Sequence, residues 1–228
     1  AHLFEHMMFK GSKNVQPEQH GSMIAAIGGE YNAYTTEDAT VFWETVPASY
    51  VPLILWLEAD RMATLLDALS QENLDNQREV VKNEKRWSYD NRPYGSWQEK
   101  TFGHLYPEDH PYHHPTIGSM ADLDAASLED VTEWYRTYYG PDNCVLSLAG
   151  DITPERALEL VKKYFDGIPP GPPLKRAAQW IPRFERNIRE EAEDRVPQTL
   201  VLRGYHAPAW GDDDLHLLEL AAGVLSDS

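Results

Sequence analysis

Apolar residues recur at helical spacing from Ala48 to Leu69, through Val51, Leu55, Trp56, Ala59, Met62 and Leu66, and predict a long amphipathic helix. Before it, EYNAYTTEDATVFWETV is rich in β-branched and aromatic residues broken by TTED, the pattern of two antiparallel strands joined by a short turn. His2 to Lys10 reads as a helix. Pro17 opens a second helical stretch, PEQHGSMIAAI, which Gly28-Gly29 ends. A further helix is expected from about Gln71 to Asp90, stopped by Pro93-Tyr94-Gly95, followed by a Pro-rich loop in LYPEDHPYHHPTIG. Ser127 with Asp130 three residues on is an N-terminal cap for SLEDVTEWYRTYY, and Pro154 starts a helix that ends near Phe165. NCVLSLAG reads as a buried strand. FERNIREEAE and QTLVLRGYHAP read as two more strands, and LHLLELAAGVLSDS as a final helix. Helices and hairpins alternate without βαβ regularity. The expected class is therefore α+β, a mostly antiparallel sheet packed against helices.

Composition narrows the function. With 37 acidic and 20 basic residues the net charge is −17, so the basic face that a nucleic-acid binder needs is missing, while basic peptides would be attracted to a cleft. Cys144 is the single cysteine, which rules out an internal disulfide and a Cys-rich zinc module; in an apolar strand it is expected to be inert. No run of 18 apolar residues is present, hence no membrane span is expected.

The chemistry stands at the start of the chain, in HLFEH. His2 and His6 are four residues apart, so on a helix both imidazoles project from one face and can reach one Zn²⁺. Glu5 lies near the same face, where it can take a proton from a water at the metal without binding the metal itself. HxxEH is the inverse of the HExxH zinc motif. REVVKNE offers a third ligand. Glu84, separated from His6 by 77 residues, competes with Glu79, separated by 72.

HLFEH followed by HMMFKGSK, GGEYNAYTTEDATVFW, REVVKNE, RPYG, HPYHHPTIGS, YYGPDNCVLSLAGDI and QTLVLRGYHAP resembles the pitrilysin/insulinase family of inverted zinc metallopeptidases over nearly the whole chain. The resemblance implies that His2, His6 and Glu84 bind zinc and that Glu5 is the general base. It also implies one half of a clam-like enzyme, whose second homologous domain or subunit completes the oxyanion site. Residues 1–228 are then expected to be a single catalytic domain truncated at both ends. Many members carry a glutamate seven residues before the ligand glutamate. Gln77 stands there, a neutral amide that can hold a ligand or water but not tune charge. By the same resemblance EYNAYTT is an edge strand to which extended peptides add, with Asn32, Ala33 and Tyr34 in contact with substrate. A periplasmic or otherwise exported bacterial location is the leading expectation. The competing readings are a non-catalytic, peptide-binding partner subunit and a zinc-stabilised structural module; the latter would not require Glu5. His104, His110, His113 and His114 are read as packing or solvated loop histidines, because Pro111 and Pro115 break any ligand spacing. Trp87, Tyr89 and Tyr94 are read as core or rim packing.

Overall fold

A computed structural model describes residues 1–175, 182–184 and 186–226. Two compact units emerge, one of residues 1–92 and 115–180, the other of 93–114 and 181–228. The architecture is α+β, and in the first unit helices gather about an antiparallel hairpin.

In the first unit the opening helix, α1 (His2–Met7), is shorter than the pattern predicts. Met8 to Lys10 form a turn rather than a further helical turn, and Gly11 at φ +97° redirects the chain. Helix α2 (Gln19–Ala26) starts two residues after Pro17, because Glu18 takes a left-handed conformation that cannot begin a helix. Its end explains the glycine pair. Gly28 sits at φ +74°, and at Gly29 a Cβ would lie 2.7 Å from Val46 and 2.8 Å from Ile24. The chain then enters β1 (Glu30–Thr35), which pairs antiparallel with β2 (Thr40–Thr45) in the register Asn32↔Trp43 to Thr35↔Thr40. The Thr36 hydroxyl accepts from the amides of Asp38 and Ala39 and so fixes the turn.

A 3₁₀ turn at Ala48–Tyr50 leads into α3 (Val51–Ala68). In α4 (Gln71–Lys85) the Ser70 hydroxyl accepts from the Asn73 amide as the N-terminal cap. Leu74, Gln77, Val81 and Lys85 are buried along one face of α4, and the helix widens into a π-type turn through Asp90. The short α6 (Met120–Ala125) precedes α7 (Leu128–Tyr138), where Ser127 and Asp130 form the expected reciprocal cap. Helix α8 (Pro154–Phe165) follows. Phe4, Met7 and Met8 meet Leu65, Leu74, Val131 and Tyr135 in one apolar cluster. The helix carrying HLFEH is thereby clamped against α3, α4 and α7. Arg78 donates to the carbonyls of Leu123 (2.8 Å) and Ala126 (2.6 Å), tying α4 to the end of α6.

The second unit contains α5 (Trp97–Leu105) and α9 (Asp213–Ser226). His104 and Lys100 pair with Glu190, and the Tyr94 hydroxyl donates to the Gln198 carbonyl at 2.7 Å. The predicted ending of α9 at Asp227 and Ser228 lies outside the described residues.

Three strand predictions do not hold. Residues 144–149, 198–208 and the described part of 184–193 form no ladder; Glu185 lies outside the described residues. Their side chains have the β-branched and apolar character of sheet strands, but a strand exists only against a neighbour. Among the described residues none pairs with them. Val145 is accordingly 94% exposed rather than buried, and Cys144 is exposed as well. Among the described residues no helix is long and apolar enough to cross a membrane.

Candidate metal centre

Helix α1 presents His2 and His6 on one face, as their spacing requires, with ring centroids 4.8 Å apart. Helix α4 brings Glu84 to the same point. Its Oε2 lies 3.4 Å from His6 Nε2 and 3.7 Å from His2 Nε2. One donor atom from each of the three residues lies within 4.8 Å of the others. Glu79 faces elsewhere: Lys82 donates to it at 3.0 Å and also reaches Asp124 at 2.7 Å. The pattern around the third residue now has a physical basis. Val81 fills the core, Arg78 anchors α6, and the turn between them and Glu84 aims the carboxylate at α1.

The electrostatics follow from this convergence. Desolvation lowers the pKa of His2, opposed by the Glu84 charge. The hydrogen bond from His6, helped by the charges of His2 and His6, holds Glu84 below the usual carboxylate range against its own desolvation. Two ligands at about 2.0–2.1 Å in a tetrahedral site stand about 3.3 Å apart. The observed separations and the donor set of two imidazoles and one carboxylate therefore fit a Zn²⁺ ion.

Glu5 is buried beside this group, and its Oε2 accepts from the Thr35 hydroxyl at 2.5 Å. Sequence reasoning did not single out Thr35; the contact joins residues thirty apart and leaves no spacing signature. Gln77 is buried at 4% exposure, its amide donating to Asn76 Oδ1 at 2.8 Å rather than to Glu84.

A cavity of about 570 Å³ opens over these side chains. It is lined by His2, Glu5, His6, Gln77 and Glu84 on one side and by β1, Asn32, Ala33 and Tyr34 included, on the other. The edge of β1 away from β2 has no strand partner among the described residues. The Ala33 amide donates to the Asn32 side chain at 2.8 Å, so this edge donor is held by its own neighbour. Tyr31 and Tyr34 are exposed. Tyr89 also lines the cavity, while Trp87 is exposed on the surface. The histidines of the Pro-rich loop play packing roles: His110 is buried and stacks on Tyr106, and His113 Nδ1 meets the Tyr106 carbonyl at 2.7 Å. Among the described residues none of them belongs to a group of three potential metal donors.

Residues 1–104 match the family model described as Insulinase (Peptidase family M16), and residues 125–228 match the one described as Peptidase M16 inactive domain. The zinc protease PqqE of Helicobacter pylori is 30% identical over 233 aligned residues, covering 100% of this chain and 51% of that protein. The mitochondrial-processing peptidase subunit beta of Saccharomyces cerevisiae is 24% identical, covering 94% of this chain and 46% of the other. The chain thus spans about half the length of these curated relatives. Among solved structures, a protease from Helicobacter pylori superposes with a TM-score of 0.72 at 30% identity, over 78% of this chain and 42% of that one. The periplasmic protease PqqL from Escherichia coli shares the fold at a TM-score of 0.68 and 20% identity, over 78% of this chain and 20% of the other.

Proposed function

The chain belongs to the insulinase family of peptidases, M16, and from that premise we propose that it is the catalytic half of a zinc endopeptidase that hydrolyses extended peptides. The observation that carries the reading is the convergence of His2, His6 and Glu84 with Glu5 buried beside them. His2, His6 and Glu84 would hold a zinc ion, which when bound would supply Lewis-acid chemistry for the scissile carbonyl and for water. Glu5 accepts the proton of the attacking water and returns it to the leaving amine, while Thr35 holds its Oε2 in place. Gln77, about two turns before Glu84 on the same helix, lines the cavity as a neutral amide. Substrate backbone adds along the free edge of β1. Asn32 turns from the Ala33 amide to a substrate carbonyl and frees that amide for pairing, and Tyr34 packs on the substrate's side chains.

A second homologous domain or subunit closes over the cleft and completes the oxyanion site; the isolated chain binds zinc but turns over peptides poorly. An exported, periplasmic location accords with this reading. The rival, a peptide-binding partner subunit without activity, is separated by one comparison: peptide cleavage by the chain supplied with its second half, in the parent and in Glu5→Gln. Loss of turnover with zinc retained in Glu5→Gln supports the enzyme. Peptide binding without turnover in the parent supports the partner subunit.

A further inference from the structure

A second group of donors lies along the same face of the β-hairpin, where Glu44 pairs with Tyr31, which strand alternation puts on the same side of β1 as Thr35. His20 on α2 is 5% exposed, and its Nε2 has no hydrogen-bond partner among the described residues. That atom points between two carboxylates, 3.6 Å from Glu44 Oε1 on β2 and 3.7 Å from Glu58 Oε1 on α3; the latter oxygen is also buried and unpartnered. The ring packs in T-shaped contact with two neighbouring rings, Phe9 at 5.8 Å and Tyr31 at 6.0 Å. Arg61 donates to the other Glu58 oxygen, Oε2, through Nη2 at 2.6 Å and Nε at 3.0 Å. Its guanidinium lies 4.4 Å from the Phe42 ring centroid. One oxygen of Glu58 is thus held by Arg61, which also lies 3.6 Å from Glu44 Oε1, while the other faces the imidazole. This is how metal-binding carboxylates are oriented by their surroundings.

We propose that His20, Glu44 and Glu58 form a second zinc-type site, which clips α2, β2 and α3 together beside the cleft. The donor separations are a few tenths of an ångström wider than the about 3.3 Å of a tetrahedral zinc site, and side-chain rotation closes that gap. The donor set of one imidazole and two carboxylates suits a borderline divalent ion. Burial, reinforced by Arg61, pushes His20 down to about 4, which leaves its Nε2 lone pair available. Two carboxylates and Arg61 carry one net negative charge, so a divalent ion leaves one net positive charge, shared with the aromatic faces of Phe9 and Phe42. Without an ion the same two carboxylates repel. Desolvation first, and then Glu44, pushes Glu58 up to about 7. The role is structural: His20 supports Tyr31, so the clip stiffens the wall of the cleft rather than acting on substrate.

The test uses the 228-residue chain carrying His2→Ala and Glu84→Ala, stripped of metal and dialysed against zinc alone. With those residues gone, the result is independent of the proposed catalytic site. The expected result is one zinc per folded chain, bound at least tenfold more weakly after His20→Gln or Glu44→Gln. X-ray absorption should show one imidazole and otherwise oxygen around the ion. Either substitution suffices if the other fails to fold. A folded double variant that binds no zinc overturns the proposal. So does binding indifferent to both further substitutions, or a zinc with no imidazole neighbour.

Discussion

Tyr135→Phe probes the packing that seats the HLFEH helix. Tyr135 lies on the buried face of α7 with its ring 6.0 Å from that of Phe4, the residue midway between His2 and His6. Its hydroxyl donates to the Met62 carbonyl and lies 3.4 Å from that of Arg61. Both carbonyls sit inside α3 and keep their helical donors, so neither is orphaned by the substitution. Loss of the hydroxyl should then cost about 1 kcal/mol at neutral pH. Burial, with a contribution from Asp67, pushes the Tyr135 phenol up from 10 to about 12. Between pH 10 and 12 the folded state holds a proton that the unfolded chain has released. Stability therefore falls as pH rises through that window, by about 1.4 kcal/mol per pH unit, or about 3 kcal/mol in all. Tyr139 is raised similarly, but it is present in both proteins and cancels in the comparison. Urea unfolding of parent and Tyr135→Phe, followed by tryptophan fluorescence from pH 8 to 11.5, should show the parent ahead by about 1 kcal/mol up to pH 10. The two should cross near pH 11, with the variant ahead above it. A difference that stays constant across the range would refute the reasoning, because it would mean the phenol titrates alike in both states.

Two further substitutions test other parts of the account. Thr35→Val removes the donor to Glu5 at constant shape. A hydrogen bond to a charged group is worth about 1.5–3 kcal/mol, so turnover of the enzyme with its second half should fall about 10- to 100-fold while zinc per chain is unchanged; unchanged turnover would leave Thr35 without a role in holding the base. Gly29→Ala drives a methyl against Val46 and Ile24 and should destabilise the fold by about 1–3 kcal/mol. An unaltered urea midpoint would show that those side chains give way freely.

The parts of the molecule that were legible in the sequence are those set by local spacing. The hairpin, α3, α4, α7 and α8 follow from periodicity, caps and glycine stops within a few residues of where they were expected. Helix α5 escaped because WQEKTFGHL carries a glycine inside and buries no residue, so it has no amphipathic stripe to read; α6 is six residues long. The unpaired segments at 144–149 and 198–208 show the converse error, since strand propensity resides in residues while a strand requires a partner. The site divides the same way. HxxEH is a one-turn pattern and was visible at once. The packing of α4 on α1 brings Glu84 to the histidines and turns Glu79 to Lys82, a difference that spacing alone does not carry. Thr35 and the His20, Glu44, Glu58 and Arg61 group lie on separate elements with no shared spacing, and only the folded chain places them together.

The most direct test of the central claim is zinc per chain, measured by elemental analysis on the purified parent and on Glu84→Ala, with His20 intact in both. The account predicts that the folded variant carries one zinc fewer than the parent. Equal zinc in the two folded proteins would contradict the assignment of His2, His6 and Glu84 as one metal centre.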